Sequence, residues 1–237
     1  MVKRGKNYRE KEALIDASRA YPPDEAVRLA KQCAFARFDE TVELHVRTAL
    51  DPRNAEQQLR GTALLPHGLG KKIRILVFAE GEATRVAKEE GAEHVGGDEL
   101  IKKVEDGWTD FDVALAQREL MGKVGKLGRI LGPRGLMPSP RSGTVVDGEN
   151  IAKAIQDAAH GKVEFRLDRT AILHVPIGKA SFTEEHLLEN LATLVHEVEK
   201  ARPSGAKGQF IRSITLTTTM GPSIKLDPTP TMALTPN

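Results

Sequence analysis

Two stretches of the chain carry side chains whose types and spacing could do chemistry. In RSITLTTTMGP, Ser213, Thr215, Thr217 and Thr219 share one parity while Ile214 and Leu216 share the other. A strand, with its side-chain period of two, would set the hydroxyls in a row on one face and the aliphatic pair on the opposite face. Each hydroxyl both donates and accepts hydrogen bonds. The 2′-hydroxyls along the shallow minor groove of an A-form RNA helix ask for the same mixed chemistry. A solvated edge strand has the same composition, because threonine favours strands. The row ends in Met220, Gly221 and Pro222. Gly221 permits a close backbone approach or a positive φ, and Pro222 ends the ladder. Met220 at that rim is either ordinary packing or an apolar surface for ribose and bases. The second stretch is RFDETVELHVR, in which Val42, Leu44 and Val46 alternate with Thr41, Glu43, His45 and Arg47. Just ahead of it, Arg37 could hold a phosphate and Phe38 could be either an aromatic platform or part of a core.

Other chemistries fail on spacing. The segment GKLGRILGPRGLMPSPRSGT, residues 125–144, is rich in glycine, proline and cations. It nevertheless lacks the lysine followed by Ser or Thr of a P-loop, and it follows a helical stretch rather than a strand. AEGEATRVA has one glycine where the dinucleotide fingerprint needs three. The seven histidines include no i, i+3 or i, i+4 pair, and no H-E-x-x-H or paired-cysteine spacing occurs. His45 and His174 read as surface or satisfied strand histidines. Cys33 stands alone, which excludes an internal disulfide and suggests a small apolar residue on a helix. Ser181 has no local base, and Glu184 and Glu185 suit the first turn of a helix. No catalytic residue, metal or cofactor is expected, so two rivals are weak: a nucleotide-dependent enzyme and a protein-only scaffold.

Composition bounds the partners. The chain has 237 residues, 40% of them hydrophobic and 29% charged, which suits a folded protein with a core. Lys and Arg outnumber Asp and Glu by only 35 to 33, so a basic footprint must come from clustering, as around Arg37, Lys179 and Lys207. No apolar run is long enough for a membrane span, and the first residues lack the apolar centre of a secretion signal. A cytoplasmic protein without a membrane partner is expected.

The elements that must position these residues show two textures. DEAVRLAKQCAF has helical periodicity with Asp24 as a candidate cap. The alternating strand over residues 41–47 follows. From residue 71, apolar runs at 73–79 and 111–116 alternate with helical stretches ended by Gly91 and Gly107, a β-α-β-α-β order implying a parallel sheet. The first texture returns near residue 148 with a helix, two short strands, a helix from about Thr183 to Lys200, and the hydroxyl strand. The predicted class is α/β: an α+β domain with an exposed sheet from residues 1–67 and 160–226, and an inserted three-layer Rossmann-like α/β domain at 68–159. The proline- and threonine-rich tail at 227–237 is predicted to be disordered.

GKLGRILGPRGLMP, RFDETVELHVR, LPHGLGKK and RSITLTTTMGPS, in that order, resemble the ribosomal protein L1 family of bacterial type, the protein of the large subunit's mobile stalk. The resemblance spans about residues 5–226 and implies a discontinuous first domain carrying the RNA site. That site would include Arg37, Phe38, Thr41, Glu43, Ser213, Thr217, Thr219, Met220 and Gly221, with Thr215 from the hydroxyl row and Lys179 from the basic cluster. It also implies ribosomal RNA, exit-site transfer RNA and the protein's own messenger RNA as partners, help in releasing deacylated transfer RNA, repression of its own translation, and a monomer off the ribosome. On this view the Gly/Pro/Arg stretch shapes a compact turn, and RNA contacts by Lys126, Arg129 or Arg134 are secondary.

Overall fold

The computed structural model describes residues 4–206 and 208–236; Lys207 and Asn237 lie outside them. The chain forms two compact units, one from the residues up to Gly70 together with those from Val163 onward, the other Lys71–Lys162. Its mixture of helices with antiparallel and parallel sheets is an α/β fold.

In the first unit, β1 (Thr41–Thr48), β8 (Ile172–Lys179), β9 (Ile211–Thr218) and β10 (Ile224–Leu226) make an antiparallel sheet in the order β10-β9-β1-β8. A smaller sheet pairs β2 (Arg60–Leu64) with β7 (Lys162–Arg166). One face of the larger sheet is aliphatic: Val42, Leu44 and Val46, Leu173, Val175 and Ile177, Ile214 and Leu216 are all buried. They join the core of α2 (Pro23–Cys33) and α8 (Glu184–Lys200), whose Ala26, Val27 and Ala30 and Leu187, Leu191 and Leu194 recur at helical spacing. Burying each Leu, Ile or Val contributes about 1.5–3 kcal/mol. Thr183 caps α8 by accepting from the His186 amide at 3.2 Å, and Glu184 and Glu185 occupy its first turn. The buried Asn190 donates to the carbonyls of Ile177 (2.8 Å) and Gly68 (3.1 Å) and accepts from the His67 amide, which fastens the LPHG loop to the sheet. Cys33 is a buried free thiol at the end of α2. Asp24 lies in the first turn of α2 and is not its cap; the helix begins at Pro23, whose missing amide hydrogen needs no partner there.

The tail departs from expectation. Tyr21 and Leu226 form a parallel bridge: the Tyr21 amide donates to the Lys225 carbonyl, and the Asp227 amide donates to Tyr21, both at 2.8 Å. Asp227 then caps α9 (Pro228–Met232) by accepting from the Thr229 amide at 3.0 Å. Thr231 is fully buried, and Met232 and Leu234 pack on the core. Over residues 227–236 the disordered tail is therefore replaced by a capped helix, because composition hides a cap, an N1 proline and two apolar anchors. The sequence reading also missed α1 (Lys6–Glu12) and β2.

In the second unit, β3 (Ile75–Phe78), β4 (His94–Gly96), β5 (Val113–Gln117) and β6 (Val145–Val146) form a parallel sheet in the order β4-β3-β5-β6. It is covered on both sides. α3 (Glu82–Glu89) and α7 (Ile151–Ala159) pack over Ile75, Val77 and Leu115. α4 (Asp98–Glu105), α5 (Met121–Val124) and α6 (Gly128–Leu131) pack over Leu76, Phe78, Ala114 and Ala116. This is the three-layer α/β arrangement predicted for the insertion. Much of the Gly/Pro/Arg stretch is helical rather than a compact turn, with Val124, Leu127 and Leu131 buried, and turns occur only at Gly135 and Gly143, both at positive φ.

Candidate nucleic-acid interface

The opposite face of the first unit's sheet has no helix in its packing and carries the polar residues. Ser213, Thr215 and Thr217 of β9 are half-buried on it, beside Glu43, His45 and Arg47 of β1. The register sets Arg47 opposite Ser213, His45 opposite Thr215 and Glu43 opposite Thr217, and Lys225 of β10 opposite Thr215. The hydroxyls of Ser213 and Thr215 have no protein partner among the described residues. The Thr217 hydroxyl donates to its neighbour Thr218's carbonyl at 3.0 Å.

At one end of this face the predicted residues converge. Thr219 is exposed, and its Oγ1 accepts from the Thr41 amide at 3.0 Å and donates to the Thr41 carbonyl at 3.4 Å, tying the end of β9 to the start of β1. Lys179 donates to the Thr41 hydroxyl at 2.9 Å, which holds the ammonium at the same edge. Met220 is 50% exposed and Phe38 is 56% exposed, so neither is core. Arg37 is exposed beside Phe38. Gly221 has no positive φ; its role is close approach, since a Cβ there would stand 2.3 Å from Thr218 Oγ1. Every residue predicted for the site lies on this face or at this end of it.

Two features escaped the sequence reading. His45 and His174 face each other across β1 and β8 with their Nδ1 atoms 2.8 Å apart, so one ring must be neutral to accept from the other. Burial, then the neighbouring His174, hold the His45 pKa below its ordinary value, against the pull of Glu43. The second is Glu40, whose side chain is 1% exposed. Its Oε1 accepts from the Phe35 and Ala36 amides, both at 2.7 Å, and its Oε2 accepts from the Met220 amide at 2.9 Å. Burial pushes the Glu40 carboxyl up, but those amides and the Thr218 hydroxyl outweigh it and hold the pKa below normal. A signal was present in the chain: Glu40 and Thr218 share the parity of the buried aliphatics on their strands, and Thr218 is likewise buried.

The second unit offers a poorer setting for a phosphate. At the carboxyl ends of β3 and β5, where the strand order reverses, the Glu80 amide donates to Gln117 at 3.3 Å. Lys123 is held there between Asp98 (2.8 Å) and Glu80 (3.4 Å). The carboxylates occupy the place a nucleotide would need. Lys126, Arg129 and Arg134 are exposed, and Arg134 donates to Thr109. No group of three or more His, Cys, Asp or Glu among the described residues is placed to hold a metal ion. No helix among them is long and apolar enough to cross a membrane.

Residues 29–222 match the Ribosomal protein L1p/L10e family. The chain belongs to that family. The matched span runs from the middle of α2 to Pro222 and so contains β1, β8, β9 and the whole second unit, but not α1, β10 or α9. The chain is 56% identical over 227 residues to the large ribosomal subunit protein uL1 of Dehalococcoides mccartyi, covering 96% of each. It is 53% identical over 228 residues to the uL1 proteins of Chloroflexus aggregans, covering 96% of each, and Thermomicrobium roseum, covering 96% of this chain and 95% of the relative. As a member of the L1p/L10e family it is a structural ribosomal protein of the translation apparatus, located on the cytoplasmic ribosome, and not an enzyme.

Proposed function

We propose that this protein is a constituent of the large ribosomal subunit that holds ribosomal RNA against the open sheet face of its first unit. The observation that carries the reading is the juxtaposition at the end of that face. Unpaired hydroxyls on β9, the cations Arg37 and Lys179, the exposed ring of Phe38 and the exposed thioether of Met220 meet where β9 ends and β1 begins. Such a surface reads shape and 2′-hydroxyls, with stacking by the aromatic ring and phosphate contacts adding affinity. The resemblance to the stalk protein extends the proposal to help in releasing deacylated transfer RNA from the exit site. It also extends to repression of the protein's own messenger, since a messenger that presents the same shape would occupy the same surface without new chemistry. The inserted unit supplies long-range attraction through Lys126, Arg129 and Arg134.

The test is a titration of the protein with a bacterial large-subunit ribosomal RNA transcript at several salt concentrations. Each phosphate neutralised should add about −0.7 to −0.9 to the slope of log affinity against log salt. A flat dependence would contradict the footprint.

A further inference from the structure

Phe38 and Arg37 belong to the loop after α2, whereas Met220 and Gly221 belong to the loop after β9, about 180 residues later. One buried side chain joins the two loops. Glu40 takes the Phe35 and Ala36 amides on one oxygen and the Met220 amide on the other. The Thr218 hydroxyl also bonds to the carboxylate, and its oxygen accepts from the Gly221 amide at 3.1 Å. The backbone continues the link, because the Glu40 carbonyl accepts from the Ala180 amide at 2.8 Å, beside Lys179. Resting on the reading of this rim as the RNA site, we infer that Glu40 is a positioning residue for RNA specificity: it never touches the RNA, but it fixes the aromatic and cationic loop at one distance from the Thr-Met-Gly rim.

The chemistry requires a carboxylate. Only an acceptor on both oxygens satisfies donors on both sides. A glutamine puts an NH₂ group against either the Met220 amide or the Phe35 and Ala36 amides, so at least one buried N–H loses its acceptor whichever way the amide is turned. Aspartate keeps the charge but is one methylene too short to span both loops. The non-specific component, which depends on surface cations such as Arg37 and Lys225, does not depend on the clamp.

The experiment compares the full-length protein with Glu40→Gln and Thr218→Val, each titrated against a bacterial large-subunit ribosomal RNA transcript and a random-sequence RNA of equal length. Thr218→Val keeps the volume and removes the hydroxyl link without touching the Phe35 and Ala36 bonds. Glu40→Gln should lose about tenfold or more in affinity for the ribosomal transcript, the equivalent of roughly 1.4 kcal/mol, with affinity for random RNA unchanged. Thr218→Val should shift the same ratio in the same direction by a smaller factor. A purely structural role would lower both affinities together in proportion to the unfolded fraction, and would overturn the inference. Met220→Ala and Thr219→Ala run alongside. If they lose specific affinity while Glu40→Gln and Thr218→Val keep it, the positioning role alone is wrong. If they bind like the unaltered protein, the reading of the rim is wrong and the inference falls with it.

Discussion

Met220 presents half of its surface to solvent while its amide is fixed on a buried carboxylate, an arrangement that holds an apolar side chain outward. Replacing Met220 by alanine removes that surface and leaves the backbone link intact. The expected result is weaker binding to large-subunit ribosomal RNA, by about 1–3 kcal/mol if a base or ribose packs on it, with a thermal midpoint close to that of the unaltered protein. Unfolding without a change in binding by the folded fraction would assign Met220 to packing. Thr219 differs, because its hydroxyl bonds both polar groups of the Thr41 backbone and so shapes the rim as well as facing solvent. The hydroxyl row was legible in the sequence because parity in one strand is a local property. Phe38 was ambiguous there and is resolved only by its exposure. The His45–His174 contact was illegible, since the two are 129 residues apart and nothing local says that β1 and β8 are neighbours.

At the scale of elements, periodicity located α2, α8, β1, β9 and the alternating strands and helices of the insertion, each of which buries a regular stripe. It missed β2 and α1, where no such stripe exists: α1 buries no residue and β2 buries only Ala63. It misread the tail, whose helix is set by a cap and by the bridge from Tyr21 rather than by hydrophobic period. Electrostatics also joins elements in the second unit. Asp112, ahead of β5, accepts from the Lys71 ammonium at 2.7 Å and from the Arg74 amide and Nε at 3.1 Å ahead of β3. Burial pushes the carboxyl up, but these donors overcome it and bring the pKa down to about 2. A depressed carboxyl pKa stabilises the fold fully above the unfolded value near 4 and loses that contribution as pH falls toward about 2. Asp112→Asn should therefore cost roughly 1–2 kcal/mol at neutral pH and flatten the fall in stability between about pH 4 and pH 2. Urea midpoints measured across that range check it; an unchanged slope would show that Asp112 is not a source of acid lability.

For the molecule as a whole, a formal net charge of +2 leaves no general attraction to a polyanion, so affinity must come from where the cations and hydroxyls are placed. The central claim is that the decisive placement lies in the first unit. Each unit has its own buried core, and the chain passes between them only near Gly70 and Lys162. Every side chain assigned to the RNA face belongs to the first unit, including the buried Glu40 beneath it. The most direct measurement is RNA binding by a chain in which residues 71–160 are replaced by a short flexible linker, with folding checked by circular dichroism. The account predicts a folded protein that still prefers large-subunit ribosomal RNA over random RNA, with a modest loss of overall affinity as Lys126, Arg129 and Arg134 are removed. A folded protein that binds both RNAs equally would contradict it.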